Sequence, residues 1–383
     1  MTDKLNSCFT VVADPGFDPL KRSTLAFLAT AALGLRIARP VQAADAAKIR
    51  TYYVAAEEVD WNYAPDGREQ MMGGEFNEDQ KVFVEAGPSR IGSIYRKSRF
   101  IGYLDEGFTK KDESADPSNG ILGPILHAEV GDEIVVVFRN KTRMPASMHP
   151  HGVFYKKDSE GSMTNDGTSA ADMADDHVPP GGTHTYHWPV PERAGPGPAD
   201  PSSLVWLYHS HVDEVRDTNT GLFGAIIVTR KGGADANGKP LGIDRELFAM
   251  FSVMDENQSL YLDEMVAKLA KKPADDDEEF EESNLMHSVN GFVYGNMPMP
   301  VMRGGDNVRW YVMALGTEVD LHTPHWHGNT VLIGGHRKDV TELLPATTIV
   351  ADMKPDNPGI WMYHCHVNDH IAAGMTARYE VVE

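Results

Sequence analysis

Short apolar runs alternating with polar residues, each closed by Gly, Pro, Asn or Asp, recur along most of this 383-residue chain. A period of two places side chains on opposite faces of a strand, whereas a helical face repeats every three to four positions. Runs such as EIVVVF at 133–138 and GAIIVT at 224–229 read as strands, and 35 Gly and 24 Pro supply the turns between them. The pattern predicts an all-β chain folded as two β-sandwich domains. One exception is SLYLDEMVAKLAKK at 259–272, whose apolar spacing predicts a short surface helix.

The chain also repeats itself. VWLYHSHVDEV at 205–215 matches IWMYHCHVNDH at 360–370 nearly position by position, and GDEIVVVF before HPHG mirrors GDNVRWYV before HTPHWHG. Self-similarity on this scale indicates a duplicated domain. The Gly-rich segment KGGADANGKPLG at 231–242 separates the copies. Expected boundaries are therefore 45–230 for domain 1, 231–244 for a linker and 245–383 for domain 2.

Candidate chemistry concentrates in the repeat. The segment HCHVNDHIAAGM at 364–375 holds a thiol, three imidazoles and a thioether. Two imidazoles, one thiolate and a weak axial Met form a blue copper site that carries single electrons. Cys365, His370 and Met375 supply three such ligands, and His322 of HTPHWHG completes the set. In a strand His364 and His366 point away from Cys365, so one segment serves two sites. Paired histidines two residues apart recur as His149 and His151, His209 and His211, and His325 and His327. With His364 and His366 these make eight imidazoles, enough for three copper ions. Overlaying the copies sets Ser210 against Cys365, Val215 against His370 and Ala146 against His322, so domain 1 cannot hold a blue copper. His127, His177, His184, His187, His287 and His336 lack paired spacing and read as structural or surface residues.

On these four motifs, present in order, the chain resembles the multicopper oxidases from about residue 50 onward, above all the small two-domain laccases, with ceruloplasmin-like segments in HPHGVFY and NGFVYGN. The resemblance implies two cupredoxin-like Greek-key sandwiches and four copper ions per chain. It makes His322, Cys365, His370 and Met375 ligands of a type 1 copper, and His149 and His325 ligands of a type 2 copper. His151, His209, His211, His327, His364 and His366 would hold a type 3 pair. Electrons would pass from Cys365 through His364 and His366 to the cluster, where dioxygen is reduced to water. Asp158 and Glu160 are candidate proton donors, and Tyr155 a candidate redox-active side chain. The expected activity is laccase-like oxidation of phenols or aromatic amines. The alternative is a metal oxidase acting on Cu(I), Fe(II) or Mn(II), and the further rivals are a copper nitrite reductase and a non-enzymatic copper protein. The two-domain relatives are homotrimers with clusters between subunits, and the same assembly is expected here.

Charge and the amino terminus change the picture only at its edges. A net charge of −21 argues against nucleic acid and anionic membrane surfaces as partners. The acidic run DDDEEFEE at 275–282 reads as a solvated loop before domain 2's first clear strand, or as a patch gathering metal cations. Lys21 and Arg22 precede an uncharged stretch from Ser23 to Leu35, then VQAADA at 41–46. Residues 1–44 therefore read as a secretory signal, and the product as periplasmic or extracellular. Cleavage removes Cys8 and leaves Cys365 as a single thiol with no disulfide partner.

Overall fold

The computed structural model describes residues 48–274 and 276–383; the expected signal segment and Cys8 lie outside the described residues. The apolar alternation resolves into strands stacked as two sandwiches. The first contains β1 (Ile49–Asn62), β2 (Ile94–Tyr103), β3 (Leu126–Glu129), β4 (Glu133–Asn140), β5 (His149–Pro150), β6 (Thr183–Pro189), β7 (Ser203–His209) and β8 (Phe223–Thr229). Its sheets run β2-β1-β4-β6 and β3-β8-β7-β5. The second contains β9 (Arg245–Asp255), β10 (Leu285–Val289), β11 (Val301–Arg303), β12 (Val308–Ala314), β13 (Pro324–Trp326), β14 (Val331–Ile333), β15 (His336–Lys338), β16 (Thr348–Met353), β17 (Gly359–Cys365) and β18 (Thr376–Val382). Its sheets run β10-β9-β12-β16-β14-β15 and β11-β18-β17-β13.

Strand for strand, the second order repeats the first and adds the β14–β15 hairpin at one edge. Even the parallel pairs correspond: β1 with β4 as β9 with β12, and β3 with β8 as β11 with β18. The sequence repeat is thus a repeat of topology. Central strands β8 and β12 are buried along their whole length, which explains their nearly continuous apolar sequences, whereas outer strand β6 alternates buried and exposed residues.

Each sandwich has its own core, with Phe100, Phe138, Tyr186 and Trp188 in the first and Phe251, Trp310, Trp326 and Tyr363 in the second. A third cluster joins them, packing Leu207, Phe223 and Ile227 against Phe248, Met250, Tyr311 and Met313. Within this joint lies a fully buried ion pair, Lys97 on β2 with Glu256. Tyr63 donates a second hydrogen bond to Glu256, and Lys97 donates to the Asn219 carbonyl at 2.7 Å. Burial lowers the Lys97 pKa and raises that of Glu256.

Short helices fill the connections: α1 (Glu78–Val84), α2 (Glu214–Thr220), α3 (Leu262–Val266), α4 (Glu278–Ser283) and α5 (Asn368–Ala372). The helix expected over 259–272 is only partly realised. Its apolar residues Leu262, Met265, Val266 and Leu269 pack on the shared core as the spacing requires. Beyond α3, however, Lys268 and Leu269 donate to carbonyls three residues back, and the Lys271 N–H leaves for the Pro88 carbonyl. From Glu278 onward the acidic run is helical and not the expected loop. Asp277 caps α4 by accepting from the Phe280 N–H at 3.1 Å, Glu278 and Glu279 sit in the first turn where the helix dipole favours anions, and Phe280 anchors the helix in the core. Nor does the second sandwich begin after that run, since β9 precedes it. No described helix is long and apolar enough to cross a membrane.

Removing one member of a buried ion pair strands the other charge, at a cost of about 3–5 kcal/mol. Glu256→Leu is expected to lower stability by that amount in chemical denaturation, while Lys97→Met with Glu256→Leu recovers most of it.

Candidate copper centres

Strand β17 ends at Cys365 with its thiol in the core of the second sandwich, beside buried Met375. His322 precedes β13, and His370 sits on α5. Their ring nitrogens converge on the sulfur: His322 Nδ1 lies 3.2 Å from His370 Nδ1, and Cys365 Sγ lies 3.9 Å and 3.5 Å from them. The circle through these three atoms has a radius of about 2.1 Å, within the range of first-row metal bonds to imidazole and thiolate, about 2.0–2.3 Å. The donor set of two imidazoles and a thiolate fits a copper ion, and Met375 is buried in the same cluster as Cys365. Burial pushes the Cys365 thiol up, but hydrogen bonds from His322, His370 and the Thr323 and Val367 N–H groups outweigh it and bring it down to about 6. The thiolate that metal binding needs is thus favoured near neutral pH. Behind His322 stands buried Asp320, whose Oδ1 lies 3.2 Å from Nε2 and orients the ring.

The alternation of β17 sends His364 the other way. Its Nε2 lies 3.2 Å from His325 Nδ1 and 3.0 Å from His327 Nε2, and the His366 ring lies 5.3 Å from that of His325. In the first sandwich His149, His151, His209 and His211 form the matching tetrad, with His151 Nε2 and His209 Nε2 3.0 Å apart and ring separations of 5.2–5.6 Å. His209 and His364 are equivalent, paired with His149 and His325 across β5–β7 and β13–β17. Each directs Nδ1 to the carbonyl of the next residue, Ser210 at 3.0 Å and Cys365 at 2.6 Å, leaving Nε2 for a metal. Burial is the main cause that drops His151, His209 and His364 to about 4, so they are neutral at pH 7, the form in which imidazole can bind a metal. Both pairs before β7 and β17 end in glycine for the same reason. Gly152 and Gly328 have left-handed φ values of 76° and 72°, and a Cβ on either would lie 2.2 Å from the ring of Trp206 or Trp361.

Among the described residues, the tetrad rings pair with one another only within their own tetrad, and each tetrad keeps partly exposed members. Beside the first opens a groove lined by His149, His151, Phe154, Tyr155, Arg193 and Trp206. Tyr155 packs edge-on to His149 at 5.6 Å. Glu160 touches the site through its backbone, the carbonyl accepting from His149 Nδ1 at 2.6 Å, while its carboxylate pairs with Lys157. Asp158 is exposed on the surface. Three neighbours lacked a sequence signal: Asp320; Glu214, 3.2 Å from His211 Nε2; and His287, whose buried ring lies 5.2 Å from that of His370. His287 therefore lies beside the candidate blue site.

The overlay of the two copies also needs correction. Ala146 does match His322, since Ala146 and Val178 bridge as His322 and Leu343 do. But the first sandwich has two more residues between the strands. The Met375 N–H donates to the His370 carbonyl, and the equivalent bond runs from the Leu222 N–H to the Asp217 carbonyl. Asp217 and Leu222 thus stand where His370 and Met375 stand, whereas Val215 is pushed outward and exposed.

Family models described as multicopper oxidase match residues 115–233 and 269–383. The chain is 45% identical over 338 residues to Ferroxidase HEPHL1 of Mus musculus, covering 87% of this chain and 29% of that protein. It is 41% identical over 342 residues to Ceruloplasmin of Rattus norvegicus, covering 87% and 32%. The chain therefore spans about three tenths of the length of these relatives. A solved structure, Multicopper Oxidase mgLAC, superposes with a TM-score of 0.56 at 20% identity over 87% of this chain and 86% of that one. This likeness agrees with the cupredoxin-like fold.

Cys365→Ser is expected to abolish the blue charge-transfer band while the copper-loaded protein keeps the type 2 resonance of the histidine sites. Electron paramagnetic resonance with optical absorption checks both, and a retained blue band contradicts the ligand assignment.

Proposed function

The chain belongs to the multicopper oxidase family, and on that premise we propose that it oxidises a reduced metal ion such as Fe(II) one electron at a time and delivers the electrons to dioxygen. Copper bound at the two kinds of site supplies the single-electron relay and the multi-electron reduction. The Cys365 carbonyl, bonded to His364 Nδ1 at 2.6 Å, ties the thiolate ligand to a ligand of the histidine tetrad.

A metal substrate, in place of the phenol suggested by the laccase resemblance, is supported by one observation above all. Glu278, Glu279, Glu281 and Glu282 stand exposed on or beside α4, which leads directly into β10, and β10 carries His287 against His370. Exposed Asp369 adjoins His370 in sequence. An exposed acidic helix that runs into the strand packed on His370 raises the local concentration of divalent cations, and phenols gain nothing from it. Relatives named ferroxidase favour the same reading.

The separated tetrads support the assembly. Each is half of a cluster, so the first tetrad of one copy meets the second of its neighbour, and such head-to-tail contacts close into a ring, which we take to be a trimer. The groove at His149, with Phe154 exposed at its rim, provides the receiving surface. Tyr155 against His149 is positioned to supply an electron or proton there, whereas Glu160 serves through its carbonyl.

Oxygen uptake is expected with Fe(II) and to be slow with phenols; the reverse preference restores the laccase reading. Replacing the four α4 glutamates by Gln should raise KM for Fe(II) about tenfold with the blue band unchanged. Light scattering should give three times the chain mass, and a fully active monomer contradicts the ring.

A further inference from the structure

The first sandwich has no thiolate site, yet the loop that would carry one is tightly held. Asp217, 1% exposed, directs a single oxygen, Oδ2, at three donors: Ser210 Oγ at 2.6 Å and the N–H groups of Val212 and Asp213 at 3.1 Å each. These partners span residues 210–213, the segment that carries His211 and follows His209. Ser210 stands in the place of Cys365 and Asp217 in the place of His370, so the Ser210–Asp217 bond joins the two positions whose donor atoms lie 3.5 Å apart in the second sandwich. The surroundings correspond as well. The Ser147 N–H donates to Ser210 Oγ at 3.1 Å, as the Thr323 N–H does to Cys365 Sγ at 3.4 Å. Ser147 Oγ then accepts from the His211 N–H at 3.0 Å, where Thr323 uses its carbonyl to accept from the His366 N–H at 2.9 Å. Ala146, in the place of His322, is fully buried.

We infer that Asp217 is a positioning residue that takes over, in the first sandwich, the crosslink a metal provides in the second, and so holds His209 and His211 at their spacing without metal. The inference rests on the copper reading of the tetrads only for its consequence; the crosslink itself is a property of the metal-free chain. A carboxylate held by three donors is rigid in a way one hydroxyl contact is not. The first half-cluster is therefore preorganised before copper arrives.

Two readouts on the full chain test this. In metal-free protein, Asp217→Ala should speed amide hydrogen exchange at residues 209–213 at least tenfold and leave 364–367 unchanged; equal exchange in wild type and variant overturns the crosslink. In copper-loaded protein, the same variant should keep the blue band per chain and lose at least half of the remaining copper along with the type 2 resonance. Faster exchange with undiminished copper overturns the positioning role, and parallel loss of the blue band makes Asp217 a general folding residue, which also contradicts it. Ser210→Ala, which removes one of the three bonds, should show both effects more weakly and serves if Asp217→Ala does not fold. A wild-type chain that takes up only blue copper defeats the functional proposal, while the exchange readout still decides this one.

Discussion

Adjacent side chains of an extended strand cannot face the same way, and at the end of β17 that constraint organises the chemistry of the whole molecule. Cys365 must enter the core of the second sandwich while His364 faces the other side, where it meets His325 and His327. Two sites of different character are therefore fixed one residue apart. The inward one is fully buried, with a thiol drawn down by its imidazole partners; the outward one is partly exposed, with the His364 imidazole kept neutral by burial. Moving the register of β17 by one residue would exchange the two faces and destroy both.

Duplication explains the rest of the architecture. Both sandwiches share strand order, parallel pairs, the Gly–Trp contact behind the histidine pairs and the His-to-carbonyl bond that sets the tautomer. They differ where the thiolate site would be. One copy keeps a sulfur, two imidazoles and a thioether, and the other holds the same loop with a serine and a buried aspartate. The joint between them is filled by apolar packing and the Lys97–Glu256 pair, and each tetrad keeps partly exposed members. Each sandwich carries one histidine tetrad, and among the described residues only the second brings a thiol together with two imidazoles.

Much of this was legible in the residues. The HxH pairs announce themselves by spacing, because a period of two converges on one face, and the repeat fixed which histidines correspond. The all-β reading followed from alternation and turns. What failed did so for physical reasons. Aligning VDEV with VNDH without gaps set Val215 against His370, because the two extra residues of the longer loop are visible only in the Leu222–Asp217 bond. Asp217 and Asp320 are single carboxylates with no periodic signature; their roles arise from burial against distant donors. His287 looked solitary because its partner lies across the fold. The acidic run looked like a solvated loop since its net charge masked an Asp cap and the one apolar residue, Phe280, that pins the helix.

In the proposed assembly, one working cluster needs the first tetrad of one copy and the second tetrad of another. Two inactive variants test it directly: one with His149→Ala and His209→Ala, the other with His325→Ala and His364→Ala. When the pair is unfolded, mixed, refolded with copper and given Fe(II), oxygen uptake should return, because mixed rings contain junctions with both tetrads intact and Cys365 present. A mixture as inert as either variant alone, beside an active wild-type control refolded in the same way, contradicts the account.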